Sequence, residues 1–450
     1  TGVLELTGSD TTGIYGKRTD ITSDGDIILS SGNNSYSTGI YSVNGNITKT
    51  GGSITGKDNT TAVAAIAEND DVVLNITGGN ISLGKNSIFY YAKSNGINSV
   101  TIKDSSNSAY TLNHQNQTGF YLDNTNISES NSVLNVESGT NSTGVYTKGN
   151  SVINDLAVNA GASSTGVYIS GDRNSTVSLN NKISASGTNS LKKKKKDGIT
   201  NANNEINSQN SGTGAFITAN DDINTVFNNT GSLTVSGNSF GIYGTASNNG
   251  TVKINNTGII AMADADSRNN ANIGILGTGN TQINQKNLIT TGKNNIGTYV
   301  QGENAALFSE GIVTTDENSI GYYADNSAIN ITGGSINTAG NSAAGLYGIN
   351  NAALNINTQG NLNISNSAYG AAGFDKTNIT NNGTITVSNG ATGVYLNDSS
   401  LENNSLMNGK NDTVTSDKDS KVIIFGTNQS NIMNNTAGTI EAGNAGAGIY

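Results

Sequence analysis

A short motif of the form Ser/Thr-Gly-apolar-Tyr recurs along the whole chain about every 25 residues. Clear copies end at Tyr15, Tyr41, Tyr121, Tyr146, Tyr168, Tyr243, Tyr299, Tyr323, Tyr347, Tyr395 and Tyr450. Degenerate copies lie at residues 65–67, 88–90, 214–216 and 274–276, and weaker ones lie near Phe374 and Phe425. A fixed period of this length is the signature of a repeat protein. Because the period spans the chain, it argues against disorder.

Each period contains short segments in which apolar and polar residues alternate. In the unit that begins at Gly345, residues 353–357 and 360–365 alternate in this way, and Gly and Asn separate the segments. A two-residue period is typical of strands with one buried face, and parallel strands need long connections such as the coils of a solenoid. The sequence therefore predicts an all-β fold: a single continuous right-handed parallel β-helix over residues 1–450, with about 18 coils of about 25 residues.

The composition agrees with a coiled β-structure. The chain contains about 75 asparagines and 57 glycines among 450 residues, with no proline and no cysteine. Such residues disfavour helices, and no run of about 18 apolar residues could form a transmembrane helix. Asn tolerates the left-handed turn conformation, and stacked Asn side chains form amide ladders. We therefore expect most asparagines to serve turns and ladders.

The charge of the chain argues against nucleic acid as a partner. The net charge is −10, so the surface repels phosphate backbones. Five lysines, Lys192–Lys196, form an anomalous run where one copy of the motif is missing. Both a solvated loop and a peculiarity of the sequence assignment explain this run, and no membrane or nucleic-acid role is inferred from it.

The tyrosines of the motif form a predicted column of residues from successive coils. Their replacements are Phe216, Leu276 and Ala67, so the hydroxyl group is dispensable. This pattern favours a packed aromatic stack over an exposed stripe that binds sugars. The face on which the column lies stays open, because the residue before the tyrosine is also mostly apolar.

Three steps between motifs are longer than the rest and predict loop insertions near 91–118, 261–272 and 398–421. Loops on a rigid solenoid commonly carry function, although a tolerated surface insertion is the alternative. The first insertion holds Tyr110 and His114, the only histidine. The candidate partner-binding residues come from the other two: Asp264, Asp266, Arg268, Asn403, Asn404, Lys410, Asp412, Asp417 and Lys418.

The sequence offers no catalytic constellation, so we expect no enzyme activity, no cofactor and no metal site. Polysaccharide lyases and hydrolases of the β-helix type need clustered carboxylates with basic partners. The chain has one histidine, and Asp70–Asp71 and Asp221–Asp222 are adjacent residues in predicted turns. No phosphate-binding loop, dinucleotide fingerprint or zinc-ligand spacing is present.

The repeats, as at residues 142–146 and 163–168, resemble those of the large type V autotransporter adhesins of fusobacteria. The resemblance covers the whole chain and implies an extracellular passenger on the bacterial surface, anchored in the outer membrane by a C-terminal barrel outside this chain. It further implies host partners of this family, namely galactose or N-acetylgalactosamine glycans and the immune receptor TIGIT. No binding residue carries over, because no binding motif matches.

Three functions follow for testing. The first is an adhesin segment that attaches to host cells through a glycan, an immune receptor or both. The second is a structural spacer that extends a binding region elsewhere in the longer protein. The third is a polysaccharide lyase or hydrolase, which the lack of an acid/base cluster disfavours.

Overall fold

The chain winds in coils of about 25 residues, and each coil pairs in parallel with its neighbours. This computed structural model describes residues 2–30, 36–149, 151–154, 156–161, 164–180, 183–186, 196–201, 206–209, 213–219, 224–410 and 420–450. The chain divides into two compact units, Thr1–Gly231 and Ser232–Tyr450. The predicted parallel β-helix is confirmed in each unit.

Each coil contributes up to three strands, which we assign to three sheets. The tyrosine sheet contains the strands that carry the motif, and the second and third sheets follow it along the coil. Within the first unit, the tyrosine sheet contains Thr12–Lys17, Ser37–Val43, Thr60–Ala67, Ile88–Ser94, Thr118–Asp123, Thr143–Lys148, Thr165–Asn180 and Thr213–Ala219. The second sheet contains Ile21–Ser23, Ile47–Lys49, Val72–Ile76, Val100–Asp104, Asn126–Ser130, Ser151–Asn154, the later part of Thr165–Asn180, Lys196–Asn201 and Asn224–Asn229. The third contains Val3–Leu6, Asp26–Leu29, Ser53–Gly56, Asn80–Ser82, Ala109–Leu112, Val133–Val136, Ala157–Ala160, Ile183–Ser186 and Ile206–Gln209.

The second unit repeats this arrangement. Its tyrosine sheet contains Phe240–Ala246, Ile273–Thr278, Ile296–Gln301, Ile320–Asp325, Ala344–Ile349, Tyr369–Phe374, Thr392–Asn397, Lys421–Thr427 and Gly446–Ile449. Its second sheet contains Thr251–Asn256, Thr281–Gln285, Ala306–Ser309, Ala328–Ile331, Ala353–Ile356, Asn378–Asn381, Ser400–Asn403 and Asn431–Asn434. Its third sheet contains Leu233–Val235, Ile260–Met262, Ile289–Thr290, Ile312–Thr315, Ser335–Thr338, Asn361–Ile364, Thr384–Val387, Leu406–Gly409 and Thr439–Glu441. Among the described residues the one helical element is a 3₁₀ turn, Arg268–Asn270.

The glycine of the motif marks a corner at which successive coils approach closely. A Cβ atom on Gly297, Gly321 or Gly345 would lie 2.5, 2.7 or 2.8 Å from the carbonyl oxygen of the glycine one coil later. Such contacts are shorter than van der Waals packing allows, so a larger residue needs the backbone to move. Glycine at this position therefore allows the close spacing between successive coils.

The same corner decides on which face the tyrosine lies. In the strand Ser37–Val43, both Gly39 and Ile40 are buried, whereas Tyr41 is half-buried and Ser42 is buried again. Two successive inward residues mean that the chain bends there, and the tyrosine is the first residue that points outward. The column therefore lies on the outer face.

Strand register corrects three members of the column. Tyr41 pairs with Ala64, and Ala64 pairs with Tyr91, so the predicted members Ala67 and Tyr90 are wrong. The shift arises because Ala62 and Phe89 take the positions of the motif glycine in these degenerate copies. In the second unit Tyr347 pairs with Ala372, so the column member there is Ala372 and not Phe374.

The first predicted insertion, 91–118, does not form a loop. It contains the strands Val100–Asp104 and Ala109–Leu112, and His114 is exposed in the turn that follows. Tyr110 is buried, with its hydroxyl 3.0 Å from that of Tyr90. The strands Asn80–Ser82 and Ala109–Leu112 belong to different sheets, so the ladder of the third sheet is interrupted here. The large side chains of the longer coil fill its core.

Asparagines lie in turns and in amide ladders, the two roles predicted from the composition. Among described residues other than glycine, 25 have positive φ, and 17 of these are asparagine. Inside the second unit, Asn381 donates to Asn403 over 2.7 Å, and Asn403 donates to Asn434 over 2.7 Å. On the outer face, Asn355 donates to Asn330 and Asn363 donates to Asn337. Turn geometry and coil-to-coil amide bonds thus account for many of these residues.

We predict that Gly321→Ala destabilises the protein and that Gly333→Ala does not. The new Cβ at residue 321 would lie 2.7 Å from the Gly345 carbonyl oxygen, whereas at residue 333 the nearest atoms lie at 3.9 Å. Overpacking of this kind costs about 1–3 kcal/mol. Urea denaturation measures the change. Equal midpoints for the two variants would contradict the role of the motif glycine.

Candidate ligand-binding cleft

The outward tyrosines of successive coils stack on one another. In the first unit the ring centroids of Tyr91–Tyr121, Tyr121–Tyr146 and Tyr146–Tyr168 lie 4.9, 4.7 and 5.2 Å apart. In the second unit those of Tyr323–Tyr347, Tyr395–Phe425 and Phe425–Tyr450 lie 5.1, 5.5 and 5.1 Å apart. The column is therefore an aromatic stack, as expected, and it lies on the outer face, which the sequence left open.

Stacking limits what the column can bind. A sugar packs its C–H groups against the face of an aromatic ring, and in an uninterrupted stack both faces of a ring are covered by its neighbours. Only edges and hydroxyl groups remain accessible to a ligand. A ligand can contact more of a ring where a small or displaced residue interrupts the column.

One interruption lies at Ala372 in the second unit. Ala372 pairs with Tyr347 on one side and with Tyr395 on the other, where a tyrosine would complete the column. The ring of Phe374 leans toward this gap, with its centroid 5.1 Å from Tyr347 and 5.4 Å from Tyr395. It is tilted by 29° and 37° relative to these rings, so the faces diverge here. Tyr369 meets Tyr395 edge to face at 5.7 Å.

A second small residue deepens the gap into a cleft. Ile320, Ala344 and Tyr369 occupy equivalent positions of successive coils, beside the tyrosine column. Ala344 and Ala372 are both buried. The two alanines leave a cleft of about 320 Å³, lined also by the four aromatic rings, Ile320, Ser342 and Arg268. This volume is at the lower end of ligand pockets and fits one or two sugar rings.

Arg268 reaches the rim of the cleft from the insertion after Ile260–Met262. Its Nε donates to the carbonyl oxygen of Asn318 over 2.8 Å, and its Nη2 donates to that of Ser342 over 2.5 Å. Asn318 and Ser342 are turn residues of two successive coils, each with φ of 57°. Bonds to two fixed backbone carbonyls hold the guanidinium in place beside the aromatic rings.

The charge of Arg268 acts on the rings of the cleft. Burial raises the pKa of the Tyr347 hydroxyl, the positive charge of Arg268 lowers it, and the carboxylate of Asp375 raises it. Of the two charged residues, Arg268 has the stronger influence and lines the cleft, whereas Asp375 does not line it. The lining of the cleft therefore combines aromatic rings with one positively charged side chain.

Of the predicted residues in 261–272, only Arg268 belongs to this cleft. Asp264 is exposed, and its carboxylate accepts a bond from the backbone N–H of Lys293 over 2.9 Å. Asp266 is also exposed. Neither lines the cleft. The segment contains the 3₁₀ turn Arg268–Asn270, and its arginine, not its carboxylates, lines the cleft beside the tyrosine column.

The third predicted insertion, 398–421, is mostly regular coil where the structure describes it. Asn403 lies in the strand Ser400–Asn403 and is fully buried in the internal amide ladder, so its expected position in a surface loop is wrong. Asn404 is half-buried and donates to Asn382 and Glu402. Buried and outward residues continue to alternate through the described part of this segment. The alternation is hard to recognise in the sequence because most of the residues are polar.

Lys410 is exposed and lines a separate depression of about 200 Å³ on the third sheet, with Asn337, Asn363 and Thr386 among its neighbours. Asp412, Asp417 and Lys418 lie outside the described residues, as do Lys192–Lys195 of the lysine run. Lys196 is the first residue of the strand Lys196–Asn201. The described members of the predicted cluster at 403–418 therefore do not form one surface.

Sequence reasoning identified Tyr347 and Tyr395, assigned Phe374 to a weak copy of the motif and missed Tyr369. Tyr369 lies three residues before the column position and Phe374 lies two residues after it. A signal was present, because residues 370–372 read Gly-Ala-Ala, a copy of the motif in which alanine replaces tyrosine. An alanine flanked by two aromatic residues marks the interruption.

No family model, curated protein or solved structure matches the chain. The resemblance to autotransporter adhesins therefore stays a prediction. Over the described residues, no group of three or more His, Cys, Asp or Glu side chains is placed to hold a metal ion. The same residues include no helix that is long and apolar enough to cross a membrane.

We predict that Tyr299 in the column titrates with a pKa of about 12. Burial raises this pKa first, and the nearby carboxylate of Asp325, 3.4 Å from the hydroxyl, raises it further. Because the folded pKa exceeds the unfolded value of about 10, the stability gained by the neutral hydroxyl is present below pH 10 and is lost as the pH rises through about 12. Ultraviolet titration of wild type minus Tyr299→Phe measures the midpoint, and Asp325→Asn should lower it. A midpoint near 10 would show that the hydroxyl is freely solvated.

Proposed function

We propose that this chain is a ligand-binding segment of a surface-displayed bacterial adhesin of the autotransporter type, and that it attaches to host glycans. The observation that carries the proposal is the interruption of the aromatic column at Ala372, where displaced and tilted rings line a cleft beside a fixed guanidinium. Aromatic faces with a few convergent polar groups are the usual composition of small-ligand sites.

The resemblance of the repeats to fusobacterial adhesins supports a location on the bacterial surface. In the longer protein, the β-helix would present the cleft away from the membrane anchor. On this proposal the partners are host-cell glycans, with galactose and N-acetylgalactosamine as the sugars that the family suggests. The immune receptor TIGIT is a further partner suggested by the family alone. The proposal assigns no catalytic role to the chain.

A spacer is the second candidate function. It is favoured by the continuity of the ladders, since Phe240–Ala246 still pairs with Ile273–Thr278 although the insertion with Arg268 lies between them. A spacer needs this regularity and needs no cleft. Binding by the isolated chain separates the two functions.

We predict that the isolated chain binds host epithelial cells, and that completing the aromatic column at the cleft abolishes this binding. The variant Ala372→Tyr/Phe374→Thr places a ring at the column position and removes the displaced ring that lines the cleft, so the column becomes regular there. The matched control is Ala64→Tyr, which makes the same change at the interruption between Tyr41 and Tyr91 in the first unit. Flow cytometry with labelled protein measures binding, with and without galactose and N-acetylgalactosamine.

Both variants should keep the melting temperature of the wild type, because each brings its coil closer to the consensus. Loss of binding in the cleft variant alone supports the proposal. If the wild-type chain does not bind cells, the spacer function is favoured. If all three proteins bind equally, the cleft is not the site.

A further inference from the structure

The cleft has an asymmetry that bears on the charge of its ligand. Its walls are aromatic and its floor consists of alanines, while its one cationic lining residue is Arg268. A neutral sugar would need only the rings and hydrogen-bonding groups. A guanidinium that is held in position beside the rings can also bind an anionic group of the ligand.

The hydrogen bonds of Arg268 leave much of its donor capacity available. They use the Nε–H group and one N–H group of Nη2. A guanidinium carries five N–H donors, so three remain, including both on Nη1. These donors lie in the plane fixed by the two carbonyl bonds, and adjacent guanidinium N–H groups match the two oxygens of a carboxylate.

Arg268 has no carboxylate partner among the described residues. Across the part of the chain that the structure describes, the ion pairs join Lys148 to Asp123, Lys286 to Glu310 and Lys293 to Glu317, and none includes Arg268. The two groups that Arg268 contacts are neutral carbonyls, which position the guanidinium without compensating its charge.

The dimensions and the walls of the cleft restrict the rest of the ligand. About 320 Å³ accommodates one or two pyranose rings. The tilted rings of Tyr347, Phe374 and Tyr395 give the cleft apolar walls, against which the C–H groups of such a ring can pack. Ser342 and the hydroxyl of Tyr369 add polar groups at the lining.

Resting on the proposed function, we infer that the cleft binds a sugar residue that bears a carboxylate, of the sialic or uronic acid class, in preference to a neutral sugar. The carboxylate pairs with the Nη1 and Nη2 groups of Arg268, and the apolar face of the sugar ring packs on the aromatic rings. A neutral galactoside makes the ring contacts alone.

Isothermal titration calorimetry tests this inference with three probes on the full chain. These are the methyl glycoside of N-acetylneuraminic acid, the methyl ester of the same compound, and methyl galactoside. The free acid should bind about two- to fivefold more tightly than its ester and the galactoside, because an ion pair with an exposed guanidinium contributes about 0.2–1 kcal/mol. Added sodium chloride should weaken binding of the acid and leave the other two unchanged.

The variant Arg268→Gln should lower the affinity for the acid to that of the ester, and Arg268→Lys should retain part of it. If Arg268→Gln lowers the melting temperature, the acid-to-ester comparison on wild-type protein still decides. Equal binding of the acid and the ester, or tighter binding of galactoside, overturns the charge preference and leaves the proposed function in place. If no sugar binds, both are overturned.

Discussion

Parallel pairing between successive coils is the interaction on which the rest of the structure depends. At a strand spacing of about 4.8 Å, each residue lies directly above its equivalent in the preceding coil. Like side chains therefore meet like side chains, so Asn403 exchanges amide bonds with Asn381 and Asn434, and tyrosine rings stack on tyrosine rings. The close approach at the motif glycine keeps this spacing.

The stacking that stabilises each unit also conceals the groups that could bind a ligand. A ring between two others contributes about 0.5–1.5 kcal/mol per contact, and its faces are covered. Accessible aromatic surface thus arises at departures from the repeat. At Ala372 the departure coincides with a second small residue, Ala344, and with Arg268 from an insertion four coils earlier in sequence order. Regular coils form a rigid frame, and the groups that we propose to bind a ligand lie at the irregular positions.

Much of the fold could be predicted from the sequence, because period and alternation depend on local residue patterns. The strand Ala353–Ile356 and its equivalents follow directly from alternation, and the positive φ of residues such as Asn318 follows from turn chemistry. The site was harder to predict. Arg268 was identified as a candidate, but its contact with the turns at 318 and 342 depends on how the insertion folds across coils. Asn403 was misplaced because its polarity suggests a surface, while the internal ladder satisfies its amide. Phe374 was wrongly assigned to the column, because its ring and not its backbone position approaches it.

On our proposal, a ligand contacts the aromatic rings where the column is interrupted and not along the intact stack. Fluorine NMR of protein labelled with fluorophenylalanine tests this claim directly, because Phe374 lines the cleft and Phe425 lies within an intact stack between Tyr395 and Tyr450. Single Phe→Leu variants assign the two signals. On titration with the methyl glycoside of N-acetylneuraminic acid, the account predicts a saturable shift of the Phe374 signal and an unchanged Phe425 signal. A shift of Phe425, with Phe374 unchanged while calorimetry reports binding, would contradict it.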